Sequence, residues 1–426
     1  MTLLAWIAVV VFVTAYVFIA TEWVHHVKVA VAGAAVMLIL GISNSQHAFF
    51  SEESGIDWNV LALLLGMMII VTVLRRTGGL EYVAIWAAKR AKARPFRVMA
   101  ILVLLSALAS AALPNVTVVL LVAPVTLLVC DRLGTPVAPY LIAEAMASNI
   151  GGTATLVGDP PNLIVASRAG FSFNDFLVVL APIVLVILVV FVLLCRWLFR
   201  RSLSYDAGRA AEVLSLRERD AIRSPRLLVL SLGVLLLVIV GFVVGPLVDL
   251  EPSVVALVGG LALLAFSRLD ATAVARDVEW GTLVFFAGLF IMVGGLVNTG
   301  VVSRLSHHMA GATEGNLLPA AMGLMWFSAA LSGLIDNIPY VATMSPIIAD
   351  LSAARGSGDV LWWALLLGAD LGGNATAIGA SANVVVLGIA ERHGQRISFW
   401  DFTKYGLVVT VVTVAVCVPY LWLRFF

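Results

Sequence analysis

The chain has 426 residues, of which 62% are hydrophobic and only 12% charged, with a mean hydropathy of +1.06. Soluble domains carry about 25% charged residues, and no water-soluble fold hides this much apolar surface, so a soluble enzyme or binding module is excluded. The formal net charge of +1 offers no field for a nucleic-acid partner.

A spanning helix needs about 20 apolar residues. On that basis the predicted spans are 3–20, 27–43, 58–74, 137–168, 174–199, 227–247, 253–268, 280–298, 360–390 and 403–425. The first lacks a basic leader and reads as a membrane helix, not a cleaved signal. Two further apolar stretches, 97–130 and 317–353, are interrupted at Pro114-Asn115 and at Asp336-Asn337-Ile338-Pro339. A helix broken there and folded back is a re-entrant hairpin. The expected class is therefore an all-α membrane protein of about ten spans plus two re-entrant hairpins.

Basic residues mark the cytoplasmic side. The loop after the third span holds Arg75, Arg76, Lys89, Arg90, Lys92, Arg94 and Arg97. Segment 196–226 carries Arg196, Arg200, Arg201, Arg209, Arg217, Arg219, Arg223 and Arg226, and reads as a solvated linker. Loop 43–57 has Glu52, Glu53 and Asp57 without Lys or Arg, and is expected outside. Both termini are then external, in the inner membrane of a cell.

A repeat organises the chain. Asp57-Trp58, Gly66-Met67, Thr77-Gly78, Ser110, Asn115 and Pro124 pair with Glu279-Trp280, Gly288-Leu289, Thr299-Gly300, Ser332, Asn337 and Pro346, all 222 residues on. Gly151-Gly152, Thr155, Gly158 and Asn162 pair with Gly372-Gly373, Thr376, Gly379 and Asn383, 221 residues on. The expected units are 1–200, a linker 201–226, and 227–426. An odd number of spans per unit inverts the second copy, the architecture of secondary transporters. Channels are also built on inverted repeats, so the repeat alone leaves the mechanism open.

Two segments stand out at membrane depth. One is Ser148-Asn149-Ile150-Gly151-Gly152-Thr153-Ala154-Thr155-Leu156-Val157-Gly158-Asp159-Pro160-Pro161-Asn162. The other is Asp370-Leu371-Gly372-Gly373-Asn374-Ala375-Thr376-Ala377-Ile378-Gly379-Ala380-Ser381-Ala382-Asn383. Gly pairs loosen the backbone, and Pro160-Pro161 removes donors, so both spans are expected to be discontinuous. Unwound backbone at this depth persists only where protein or a polar cavity satisfies it. Half-helix N-termini suit anions or polar oxygens, and free carbonyls suit cations. Asn115 with Thr117 is expected beside the first break, and Asp336 with Asn337 beside the second. Plain helix capping by these residues is the bland alternative.

The carboxylates break the symmetry. Asp336 stands where the first half has Pro114, Asp159 where the second has Ala380, and Asp370 where the first has Asn149. A carboxyl at this depth is costly and points to function. Asp159, Asp336 and Asp370 are the candidate coupling site for H⁺ or Na⁺; hydrogen bonding to free backbone amides is the structural alternative. Glu144, shortly before the first break, is a further candidate. The pairs His25-His26 and His307-His308 lack a completing carboxylate or thiol, and Cys130, Cys195 and Cys417 are scattered, so no metal or other cofactor is expected. Trp6, Trp23, Trp58, Trp280, Tyr405 and Trp422 fit an aromatic belt. No G-x-x-x-x-G-K-[ST] loop is present, so any ATPase in the system is a separate subunit.

The two break segments resemble the paired signatures of the ion transporter superfamily. Leu331-Ser332-Gly333-Leu334-Ile335-Asp336-Asn337-Ile338-Pro339-Tyr340 is similar to the second hairpin of its arsenite-permease and pink-eyed-dilution branch. The resemblance spans nearly the whole chain. It implies two inverted units of five spans plus a hairpin, a scaffold and a moving part, and alternating access. It also implies a site lined by Asn115, Asn149, Asn337, Asn383 and neighbouring Thr and Gly: Thr117, Gly151, Gly152, Thr153, Thr155, Asn162, Gly372, Gly373, Asn374, Thr376 and Ser381. The branch holds arsenite and antimonite exporters, sodium/proton antiporters and melanosomal anion transporters; a sister branch moves carboxylates with sodium. The carboxylate branch carries Ser-Asn-Thr at both hairpin tips. Here the tips read Pro114-Asn115-Val116-Thr117 and Asp336-Asn337-Ile338-Pro339, and an added carboxylate repels a dianion. The expected function is proton-coupled export of trivalent arsenic and antimony oxyacids. A sodium-coupled carboxylate or inorganic-anion symporter and a sodium/proton antiporter follow in order. A passive channel is the alternative class. Monomer and homodimer are both compatible with the sequence.

Overall fold

The computed structural model describes residues 2–21, 23–51, 54–203, 208, 211, 214–215, 217–312, 317–355 and 359–426. Glu52, Glu53 and Arg209, named above for topology, lie outside the described residues. Every regular element among the described residues is helical.

In the first half the α-helices are α1 (Leu3–Thr21), α2 (His26–Ile39), α3 (Ser45–Phe50), α4 (Trp58–Arg75), α5 (Gly79–Arg90), α6 (Pro95–Ser110), α7 (Asn115–Leu133), α8 (Ala138–Gly152), α9 (Pro160–Ala169) and α10 (Phe173–Leu198). In the second they are α11 (Pro225–Val244), α12 (Pro252–Phe266), α13 (Ala271–Asp277), α14 (Trp280–Asn298), α15 (Val301–Ala312), α16 (Leu317–Ser332), α17 (Asn337–Arg355), α18 (Val360–Gly372), α19 (Ser381–Arg392) and α20 (Phe399–Phe425). Seven helices among the described residues are long and apolar enough to cross a membrane: α4, α7, α10, α14, α20, α11 with its 3₁₀ extension to Leu247, and α16 extended to Leu334. The broken spans fall outside that set because each is divided into two short helices.

Polar residues start these apolar helices by taking up free N–H groups. Asp57 accepts from Val60 N at 3.1 Å ahead of α4, and Ser172 forms a reciprocal capping box with Asp175 at the head of α10. Ser398 does the matching job for α20, accepting from Asp401 N. Pro124 and Pro346 remove a main-chain donor at the same place in α7 and α17.

The most extensive helix–helix contacts pair α4 with α12, α16 with α18, α6 with α8, and α2 with α14. Contacts α6–α8 and α16–α18 stay within one half. Contacts α4–α12 and α2–α14 join opposite halves. Small residues permit that crossing: a Cβ on Gly66 would stand 2.3 Å from the Ala256 carbonyl carbon, and one on Gly288 would stand 2.8 Å from that of Ala30. Such close backbone approach is how membrane helices associate without a hydrophobic driving force.

Two sequence expectations change. The stretch after the third span is not simply a loop, because residues Gly79–Arg90 form α5. The linker is not wholly solvated either. Arg196 lies in the last turn of α10 with its guanidinium over the Phe96 ring. Residues Glu218–Ala221 form a 3₁₀ turn against α5, where Lys89 bonds Glu218 at 2.6 Å and Arg223 N donates to Thr77 O at 2.9 Å. The Lys89 hydrogen bond, aided by its charge, holds the Glu218 carboxyl below the usual range.

Candidate functional site

Both predicted breaks are present. Helix α8 ends at Gly152 and α9 starts at Pro160; α18 ends at Gly372 and α19 starts at Ser381. Each gap is held by the same hydrogen bonds. Asn162 Nδ2 donates to Gly152 O (3.1 Å) and Thr155 O (2.7 Å). Asn383 Nδ2 donates to Gly373 O (2.8 Å) and Thr376 O (2.9 Å). The hydroxyls of Thr155 and Thr376 reach Ala111 O and Gly333 O, at 2.5 and 2.6 Å, which ties each break to the hairpin tip of its own half. These two Asn and two Thr are therefore structural clamps: they satisfy the carbonyls that unwinding frees.

Glycine makes the breaks fit. A Cβ on Gly151 would lie 2.1 Å from Ala107 O, and one on Gly372 would lie 2.6 Å from Ala329 O. Ala107 and Ala329 are themselves repeat partners, on α6 and α16. The main chain of each first half-helix thus rests directly on a hairpin arm. Gly152 and Gly373 sit at the ends of the same half-helices and approach Gly158 O and Gly379 O across the gaps.

Between the two breaks runs one amide chain, buried from end to end. Asn115 Nδ2 donates to Asn149 Oδ1 (3.2 Å). Asn149 Nδ2 donates to Asn374 Oδ1 (2.9 Å) and Asn383 Oδ1 (3.2 Å). The halves are therefore joined through Asn149. Asn337 Nδ2 donates to Asp159 Oδ2 (3.3 Å), so the second hairpin tip also reaches the first break. The second tip therefore lies between the two breaks: Asn337 reaches the first, while α17 packs on α9 and α7 on α19. Asp336 keeps its expected place, accepting from Ser381 Oγ at 2.7 Å and from Ile338 N at 3.0 Å. Thr117 is half-buried, and the described hydrogen bonds do not join it to this cluster. Two positions beyond Asn115 on a helix, it points about 200° away.

The carboxyls gather at this junction. Asp370 and Asp336 both act through space on Asp159. Asp159 and Asp370 are fully enclosed. Oδ1 of Asp159 and both oxygens of Asp370 have no hydrogen-bond partner among the described residues. The Thr153 hydroxyl stands near Asp370 but donates to Asn149 O at 3.0 Å. Asn374 Nδ2 is likewise without an acceptor. Helices α7, α9, α17 and α19 begin at or next to members of the cluster, and their positive ends offset part of the carboxylate charge. No Lys, Arg or His takes part in the described hydrogen bonds of the cluster. The arrangement presents unused carboxylate oxygens, one unused amide NH2 group and four helix N-termini, a donor set for a proton or cation beside a polar solute.

Some polar partners had no sequence signal. Glu144 is buried, and Thr126 on α7 donates to it. Ser167 on α9 donates to Asp57 at the head of α4. A cavity of about 400 Å³ lies beside that contact, lined by Asn59, Leu63, Leu156, Leu163 and Ser253 among others. The three cysteines are buried and free. Among the described residues, no group of three or more His, Cys, Asp or Glu is placed to hold a metal ion.

Residues 16–368 match the family model described as citrate transporter (CitMHS), most of the chain. The uncharacterized transporter Rv2684 of Mycobacterium tuberculosis is 55% identical over 99% of this chain and 98% of its own length. The human P protein is 33% identical over 97% of this chain, which spans 59% of that longer protein. The crystal structure of the Alcanivorax borkumensis YdaH transporter shares the fold, with a TM-score of 0.58 at 16% identity, covering 85% of this chain and 84% of that one. The chain belongs to the citrate transporter family of the ion transporter superfamily: it is a multi-pass membrane protein and a secondary transporter, not an enzyme.

Proposed function

We propose that the protein moves its solute by alternating access in the inner membrane. The two halves are read as inverted units, each with a re-entrant hairpin (α6–α7 and α16–α17). Both termini are external and the linker is cytoplasmic. Helices α2, α4, α12 and α14 form the scaffold, and the hairpins with α8, α9, α18 and α19 form the moving part. The matched clamps at the two breaks support this reading, as does the odd number of spans per half.

One observation carries the choice of cargo: three acidic side chains converge in an amide-lined site whose described hydrogen bonds include no cationic side chain. The orphan buried oxygens of Asp159 and Asp370 demand a proton or cation, so these two, with the hydrogen-bonded Asp336 beside them, form the coupling site, with H⁺ as the first choice over Na⁺. The solute beside them is an uncharged hydroxylated oxyacid. Arsenous and antimonous acids fit, exported in exchange for protons, with their hydroxyls bonded to Asn115, Asn149, Asn337 and Asn374. Binding is by hydrogen bonds, so replacing Cys130, Cys195 and Cys417 leaves export intact.

The description of the matched family favours a second reading, citrate. Citrate must then enter with its charge masked by protons or a bound cation, because the site opposes a bare anion. A thermal-stability screen of the purified protein with arsenite, antimonite, citrate, succinate, sulfate and sodium separates the readings. A substrate at one hundred times its Kd stabilises by about 2.7 kcal/mol. Dose-dependent protection by arsenite and antimonite alone supports the first reading, and protection by citrate alone replaces it with the second. No protection by any solute sinks both.

A further inference from the structure

Glu144 and Thr126 form a buried polar pair that the proposed solute site does not use. Glu144 lies in α8 five residues before Asn149, about 7.5 Å along the helix axis. Thr126 on α7 donates to Glu144 Oε1, and Oε2 has no partner among the described residues. The ionisable groups facing it are Cys130 on α7 and Tyr140 on α8. Tyr140 is engaged with Pro95 O at 3.1 Å. Among the described residues, helices α6, α10, α18 and α19, which also pack on α8, bring no charged group to bear on it.

The second half shows what this position needs for folding alone. At the repeat spacing, Thr126 corresponds to Ile348 and Glu144 to Leu365. Both are fully buried, on α17 and α18, which pack together as α7 and α8 do. The same fold position is thus filled once by an apolar pair and once by a carboxyl with an unsatisfied oxygen. An apolar pair of similar shape is at least as stable as a buried polar one, so stability does not account for Glu144.

We propose that Glu144 is a proton-binding site of the first half. It is carried neutral in this conformation, with Thr126 orienting the carboxyl, and it exchanges its proton between the membrane surface at the 134–137 loop and the carboxyls at the breaks. The step is a simple transfer: the Glu144 carboxylate takes a proton from hydronium at the surface, leaving water, and passes it to an ionised carboxylate at the breaks, and the reverse steps release it. Its role in coupling rests on the transport reading above; its protonation does not.

Two experiments separate the parts. Infrared difference spectra of the purified protein at neutral pH, wild type minus Glu144→Gln, are expected to show the C=O stretch of a protonated carboxyl. Thr126→Val, which removes the hydroxyl donor, shifts that band to higher frequency. Identical spectra for wild type and Glu144→Gln overturn the proposal whether or not any solute is transported. In proteoliposomes, the double variant Thr126→Ile with Glu144→Leu copies the pair that the second half already buries. It is expected to fold and to bind solute as wild type does. The wild-type rate changes by up to about tenfold per pH unit where one protonation limits it, and that dependence flattens in the double variant. A double variant with the wild-type pH profile overturns the coupling role.

Discussion

Replacing Asp370 by Asn is expected to make the protein more stable and unable to couple transport. Asp370 is 0% exposed, and among the described residues neither of its oxygens has a hydrogen-bond donor. An unsatisfied buried polar atom costs about 1–3 kcal/mol, and a carboxyl adds the cost of any time spent ionised. The amide keeps the size, removes the charge, and is the residue that the first half already carries at this register, Asn149. The gain is that ionisation cost together with the repulsion between Asp370 and Asp159, because the amide's oxygen and NH2 group meet the same surroundings as the two carboxyl oxygens; such a gain is the usual trade at a site whose polarity serves function. Thermal unfolding in detergent reads the stability, and gradient-driven uptake into vesicles reads the coupling. Wild-type coupled transport by Asp370→Asn would refute the coupling role. A loss of more than about 1 kcal/mol would refute the description of these oxygens as unsatisfied, because it would reveal a partner that the carboxylate needs.

Gly151→Ala and Gly372→Ala each push a methyl into a hairpin-arm backbone and are expected to cost about 1–3 kcal/mol, with Gly151→Ala the worse because its approach is closer; equal, negligible shifts in melting point would show that the arms yield freely. Asp57→Ala removes the Ser167 contact between α4 and α9 and is expected to raise thiol labelling of a cysteine placed at Leu63 in the adjoining cavity; unchanged labelling means the contact holds nothing closed. The depressed Glu218 carboxyl contributes to docking of the linker above the usual glutamate range, a contribution lost as pH falls through its lowered value. Hydrogen-exchange protection of residues 218–222, taken relative to the intrinsic rate at each pH, is therefore high at neutral pH, lower in acid, and low at neutral pH in Lys89→Ala; the same protection in that variant as in wild type removes Lys89 from the explanation.

Much of the site was legible because the breaks are written in residues with few uses at membrane depth. Gly pairs, Pro160-Pro161 and the recurring Asn placed both gaps, and the 221-residue spacing identified their equivalents. That the second tip also reaches the first break was not legible. The Asn337 side chain donates to Asp159 of the other half, a consequence of α17 packing on α9 that local pattern does not encode. Thr117 was read as a neighbour of Asn115 by proximity in sequence, where helical geometry turns it away. Helix α5 carries no clear pattern of its own, because residues 79–90 mix Glu81, Lys89 and Arg90 with apolar positions and their charge marks the segment only as a cytoplasmic connection. Glu144 stands out in the sequence as a buried-span carboxylate, whereas Thr126 becomes its partner only through the packing of α7 against α8.

The crossing of α4 onto α12 and α2 onto α14 bears on how such a chain is assembled. Each half lends a helix to the other and receives the equivalent helix back, the relation found between the subunits of a domain-swapped dimer. A half made alone leaves the Gly66 or the Gly288 face without its partner backbone. Two polypeptides cut within 201–226 are thus expected to be unstable apart and to reconstitute when made together, as though the linker were a covalent record of two formerly separate subunits.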